Sequence, residues 1–185
     1  MRLGQYSMAT NSRQNSDLTL NNLDHFFERL YHQKANANMT VLRDNFESAK
    51  NFRRYWKEMA TSMTVSPAYY IIGGRKKNEG VVIEKNSGDI VREFTWLTEG
   101  PKNSGAWFIV QTNSDRDTTD LKNNDDRRYQ GELKMNKVGR FTDLDDVNKQ
   151  IMRQLPNFQC FAGHHTANIT LMNARELRFG LTSWV

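Results

Sequence analysis

Few residues in this chain have types and spacings that could do chemistry. Cys160 is the only thiol, and a nucleophilic cysteine needs a depressed pKa and a base within hydrogen-bond reach. His164 and His165 are near in sequence, but four residues of extended chain put His164 more than ~12 Å from Cys160. Neighbouring strand residues also point to opposite faces, so the two imidazoles do not converge on one metal ion. A small buried hydrophobe is the plainer role for Cys160. Gly73-Gly74-Arg75-Lys76-Lys77 offers glycines and cations. It has neither the spacing of a phosphate loop nor a helix opening behind it, and reads as a turn between strands. Asn113 ends the apolar run 105–113, where an amide held rigidly at a sheet edge could donate to a developing oxyanion. Arg127 follows Asp125 and Asp126 and could be a cation held by carboxylates. On residue types alone, an ordinary strand-end Asn and a surface ion-pair loop are the simpler explanation.

The elements that must position these groups follow from periodicity. Leu20, Leu23, Phe26, Phe27, Leu30 and Tyr31 share one stripe of a helix expected over 19–33. Asp44, with Glu47 three residues on, reads as the cap of a second helix. Its apolar face is Phe46, Ala49, Phe52, Tyr55, Trp56 and Met59, and Arg53, Arg54 and Lys57 are solvated. Pro67 ends any helix. From there the period changes to that of strands at 68–72, 80–84, 89–96 and 105–113, the last apolar enough to be covered on both faces. Residues 115–128 read as a polar loop. Thr142 caps a helix over 143–155, and segments 164–172 and 176–179 form a closing hairpin. Helices, then a strand meander, then a helix and strands give an α+β fold with a mostly antiparallel sheet.

Composition limits the function classes. The 185 residues carry 26 Lys plus Arg against 21 Asp plus Glu, a net +5, and 10 Phe, 6 Tyr and 4 Trp supply core material that a disordered chain would lack. No apolar run approaches the ~18 residues that span a bilayer. One Cys excludes an internal disulfide or a cysteine-rich zinc site, so neither a metal nor another cofactor is expected. Arg53-Arg54-Tyr55-Trp56-Lys57 mixes cations with aromatics as nucleic-acid binders do. Its aromatics fall on the apolar stripe, which favours core packing, and no nucleic-acid partner is expected. Residues 1–10 contain no apolar signal-peptide core, whereas Asn38-Met39-Thr40 and Asn168-Ile169-Thr170 are glycosylation sequons.

Four blocks then occur in order: Ser66-Pro67-Ala68-Tyr69-Tyr70-Ile71-Ile72-Gly73-Gly74, Glu79-Gly80-Val81-Val82-Ile83, Trp107-Phe108-Ile109-Val110-Gln111-Thr112-Asn113-Ser114-Asp115-Arg116, and Asp125-Asp126-Arg127-Arg128. Together they resemble the acid ceramidase and N-acylethanolamine acid amidase family of N-terminal-nucleophile hydrolases. Weaker similarity reaches back to Gly4-Gln5-Tyr6-Ser7-Met8 and forward through 166–171. The resemblance implies an αββα sandwich, of which this chain would be a single partial domain over 1–185. It also implies cleavage of an N-acyl lipid amide by an N-terminal cysteine thiolate with its own α-amine as base. Asn113 matches the family's oxyanion-hole Asn and Arg127 an active-site Arg. Asn11 matches a further polar position near the oxyanion, beside Ser12 where relatives carry an acid.

The match begins at Gly4, so the segment bearing the nucleophilic Cys is expected to lie outside these residues, and Cys160 cannot replace it. The isolated chain is then expected to be inactive. The alternative is a non-enzymatic half-fold that binds a partner or a full-length paralogue. The family implies a lysosomal or secretory location and a lipid amide substrate. In an acidic compartment the four His residues would add to the positive charge and favour an anionic membrane surface.

Overall fold

A computed structural model describes residues 5–13, 27, 28, 30, 31, 36–76, 78–87, 91–97, 107–116, 126–152, 168–172 and 179–183. Four strands form one antiparallel sheet: β1 (Tyr6–Ser12), β2 (Ala68–Gly74), β3 (Gly80–Lys85) and β4 (Val91–Trp96), in that spatial order. Helices α1 (Asn38–Ser48) and α2 (Phe52–Thr61) precede β2. After β4 come α3 (Asp126–Val138) and the short α4 (Leu144–Val147), which runs into a wider π turn at Asn148–Met152. Strands β5 (Asn168–Met172) and β6 (Phe179–Ser183) pair as an antiparallel hairpin.

The sheet has two unlike faces because its side chains alternate. On one, Tyr6, Ala68, Tyr70, Ile72, Val81 and Ile83 join Val41, Leu42, Phe52, Tyr55 and Met59 of the two helices in one core. Ile72 faces Val81, and Ile83 faces Phe94 across the strand pairs. Trp56 of α2 meets Phe94 and Trp96 of β4 edge to face, with ring centroids 6.0 and 5.0 Å apart. As expected, Arg53, Arg54 and Lys57 are exposed.

Two buried polar side chains from the sheet satisfy the carbonyls that each helix leaves open at its C-terminus. The Tyr6 hydroxyl donates to the Phe46 and Ala49 carbonyls at 3.1 Å each, and its ring stacks on Tyr55 at 4.6 Å. The Lys85 ammonium, wholly buried, donates to Met59 O at 3.1 Å, Ala60 O at 3.3 Å and also Ser62 O. A cation at a helix C-terminus also meets the negative end of its dipole.

The structure corrects several sequence expectations. Asp44 lies inside α1 rather than capping a helix, and the chain breaks at Ala49. Asn51 caps the second helix, its side chain accepting from the Arg54 amide at 3.0 Å. One apolar stripe ran through both helices because both bury the same side of the pair, so periodicity alone hid the break. Residues 6–12, to which the sequence reading gave no element, form β1, the outermost strand of the sheet among the described residues. Helix α3 extends ten residues beyond Arg128, closing at Gly139, whose φ of 79° suits a glycine. Asp143 rather than Thr142 caps α4, accepting from the Asp146 amide at 2.8 Å. The second arm of the hairpin lies at 179–183, later than expected. The strand expected over 105–113 does not appear among the described residues, where 107–112 pair with no other strand. Most of the expected 19–33 helix lies outside the described residues; residues 27, 28, 30 and 31 are helical.

Replacing Lys85 by Ala leaves three backbone acceptors buried without their cation. Urea unfolding is expected to show a loss of about 2–4 kcal/mol, while Asn51→Ala costs about 1 kcal/mol. Equal midpoints for wild type and Lys85→Ala would show that the ammonium does not hold the helix layer.

Candidate active site

Pairing register places Asn11 opposite Tyr69, Tyr69 opposite Glu84, and Glu84 opposite Glu93. These residues form one row across the sheet, on the face turned away from α1 and α2. Segment 107–116 and the start of α3 lie over this row, tied to it by side-chain hydrogen bonds. The Asn11 amide Nδ2 donates to the Gln111 and Thr112 carbonyls at 3.2 and 3.3 Å. Asn113 Nδ2 donates back to Ser12 O at 2.7 Å. Arg127, in the first turn of α3, places Nη2 3.5 Å from Asn113 Oδ1. Thus Asn11, Asn113 and Arg127, far apart in sequence, meet at the end of β1. Asn113 is exposed there, and Arg127 is half-buried.

Asp115 is the anchor beneath them, a role the sequence reading missed. Its Oδ1 accepts from Arg13 Nε at 2.6 Å and from the Tyr69 hydroxyl at 2.7 Å. Its Oδ2 accepts from Arg13 Nη2 at 2.8 Å and lies 3.1 Å from Arg92 Nη1. The two-pronged Arg13 pair is the strong, planar kind. Hydrogen bonding from Arg13, aided by Tyr69 and the charge of Arg92, holds the Asp115 carboxyl down at about 2. The same bond raises Arg13 above its usual value. Tyr69 is raised, first by burial and then by its bond to Asp115.

Arg92 reaches this cluster because of an irregularity in β4. Glu84 pairs with Glu93, but Lys85 pairs with Val91, so Arg92 is the extra residue of a bulge. A bulge re-aims a side chain that strict alternation would send to the other face. Arg92 Nη1 therefore also meets Glu84 Oε2 at 2.9 Å. Glu84 Oε1 accepts the Arg116 backbone N–H at 2.9 Å. Arg116 Nε donates to Gln111 Oε1 at 3.2 Å, and its guanidinium also donates to Val110 O and lies 3.7 Å from Glu132 of α3. Arg128, fully buried, donates to the Ser114 and Asp115 carbonyls at 3.1 and 3.0 Å. Segment 110–116 is therefore fixed from the sheet and from α3. Each added arginine is matched by a carboxylate or a carbonyl.

Other sequence candidates lie elsewhere. Asn38 opens α1, and its side chain clips Ser66 by accepting from its amide at 3.2 Å and donating to its carbonyl at 2.9 Å. Asn168 opens β5 opposite Ser183. Gly74 closes β2 in a turn, its N–H donating to Glu79 O at 2.7 Å, with no helix behind it. Cys160, His164 and His165 lie outside the described residues. Among the described residues no cluster of His, Cys, Asp and Glu could hold a metal, and no helix is long and apolar enough to cross a membrane.

An antiparallel sheet with helices on one face and the amide-bearing segment with α3 on the other is part of an α+β sandwich of the N-terminal-nucleophile hydrolase kind. Comparison with known proteins bears this out. No protein-family model matches the chain. The chain is 30% identical over 139 residues to an N-acylethanolamine-hydrolyzing acid amidase of Caenorhabditis elegans, covering 75% of this chain and 36% of that protein. It is 34% identical over 76 residues to an acid ceramidase of Balaenoptera acutorostrata scammoni, covering 41% of this chain and 18% of that one. The solved C. elegans N-acylethanolamine-hydrolyzing acid amidase (NAAA) ortholog superposes with a TM-score of 0.67 at 27% identity, over 84% of this chain and 62% of that chain. The chain belongs to the acid ceramidase and N-acylethanolamine acid amidase family. It spans roughly a third or less of the length of these two curated relatives.

A carboxyl held low in the folded state adds stability above its unfolded value of ~3.9, and that stability is lost as pH falls toward about 2. Asp115→Asn is expected to lose about 1–3 kcal/mol at neutral pH and to show a shallower decline through the acid range, measured by urea unfolding at stepped pH. Identical pH slopes in the two proteins would remove Asp115 from that role.

Proposed function

We propose that this chain is the oxyanion-binding portion of a lipid-amide hydrolase, a single partial domain that works with a cysteine-bearing segment outside these 185 residues. The observation that supports it is the convergence of Asn113 and Arg127 at the end of β1. The Asn113 amide nitrogen carries two hydrogens. Ser12 O takes one, leaving the second to donate to an oxygen outside the protein. Arg127 on Asn113 Oδ1 draws electron density from the amide and strengthens that donor. A cysteine thiolate adding to an N-acyl carbonyl places negative charge on the carbonyl oxygen, and a donor held in advance stabilises that charge. Collapse then expels the amine, and water hydrolyses the thioester to free fatty acid. Asn11, whose amide donates to the backbone of segment 107–116, acts as a brace rather than as the donor.

The substrate is an N-acylated lipid such as a ceramide or an N-acylethanolamine, drawn from the activities in the relatives' names. The compartment is lysosomal or secretory, where Asn38 and Asn168 would be available to a glycosylating machinery. A glycan on Asn38 has to coexist with its clip to Ser66.

Purified chain is expected to release no fatty acid from a fluorogenic N-acyl amide. Turnover is expected when the cysteine-bearing segment of a full-length relative is joined to it. In that joined protein Asn113→Ala lowers kcat by about 10²–10³ with little change in KM. Hydrolysis by the 185 residues alone would sink this division of roles.

A further inference from the structure

We propose that Glu84 is a positioning residue for Asn113, setting where the amide stands according to whether its own carboxyl is ionised. This rests on Asn113 being the oxyanion donor. Glu84 has no exposed side-chain surface, yet both its oxygens are engaged. One holds the Arg116 backbone N–H, three residues past Asn113. The other holds Arg92, which also reaches Asp115, two residues past Asn113. The segment carrying the donor is thus tied to the sheet at two successive residues through one buried acid.

The charged and titratable groups facing Glu84 come from every element around it. Glu93 and Arg92 stand on β4, Tyr69 on β2, Arg13 just past the end of β1, and Asp115 and Arg116 on the covering segment. Burial raises Glu84, and the nearby Asp115 and Glu93 add to that, against the hydrogen bonds from Arg116 and Arg92. Asp115 is held low by Arg13. As pH falls, Glu84 takes up a proton while Asp115 stays ionised. The charge-assisted bond from Arg92 to Glu84 then weakens, while its contact with the still ionised Asp115 remains. The backbone at 115–116 adjusts, and Asn113 moves with it.

The test follows the Asn113 side-chain NH₂ signals of the ¹⁵N-labelled full chain from about pH 7 to about pH 4, together with the Glu84 carboxyl carbon in ¹³C-glutamate-labelled protein. The two are expected to move with one shared midpoint above the ordinary glutamate value of ~4.3. Glu84→Gln is expected to remove that step from the Asn113 signals. A Glu84 carbon with an ordinary or lower midpoint overturns the proposal. So do Asn113 signals that stay fixed while Glu84 titrates, or a step that survives in Glu84→Gln. If that variant does not fold, the shared midpoint in the wild-type chain decides alone. No readout involves turnover, so this result is separate from the hydrolysis assay that tests Asn113 as the donor.

Discussion

The Asp115 carboxylate is the point on which the second face of the sheet depends. It collects Arg13 from the end of β1, Tyr69 from β2 and Arg92 from β4 onto one side chain of the covering segment. Those groups are far apart along the chain, so each bond closes a long loop and must exceed the entropy of that closure. A half-buried cluster of three arginines around Asp115 and Glu84 is favourable only because nearly every donor has an acceptor of matching charge or geometry. Without Asp115, Arg13 would lose its two-pronged carboxylate partner and Arg92 its 3.1 Å contact to the covering segment. Among the described residues, the covering segment is tied to the sheet through these side chains.

The other face is arranged on a different physical basis. There the helices dock by apolar burial, and the polar groups present are those that close helix ends. Tyr6 and Lys85 each reach from the sheet to the C-terminal carbonyls of one helix. Buried backbone acceptors have to be paired, and here the pairing also sets how far along the sheet each helix sits. The helix layer is thereby placed independently of the charged cluster. The polar face can be tuned by charge without loosening the core beneath it.

The strands β2, β3 and β4 were legible because β-branched and aromatic runs between turn signals carry their own period. Strand β1 was not, since Ser7, Thr10, Asn11 and Ser12 look like loop residues. Their strand character comes from pairing with β2, a tertiary effect. Helix α3 was hidden by its weak amphipathicity and by the acidic run before it, which reads as a loop. Asn113 and Arg127 were singled out by the family blocks, since residue types alone favoured an ordinary Asn and a surface loop, and the geometry brings the two side chains within 3.5 Å. Asp115 lay within a quoted block without a role, because its partners Arg13, Tyr69 and Arg92 are scattered in sequence. The bulge that turns Arg92 toward it has no local signature. Polar networks assembled from several strands cannot be read from spacing along one of them.

Glu84 and Lys85 sit side by side, both fully buried, on opposite faces of β3. A slip of β3 by one residue exchanges their faces. The ammonium would then enter a cluster already holding Arg13, Arg92 and Arg116, and the carboxylate would face the open carbonyls at the end of α2. Both placements are repulsive in a low-dielectric setting. Apolar neighbours such as Val81, Val82 and Ile83 would tolerate the exchange, since any of them fits either layer. The adjacent acid and base therefore act as a key in assembly: they reject the one misfolded sheet that the hydrophobic pattern of this strand would accept.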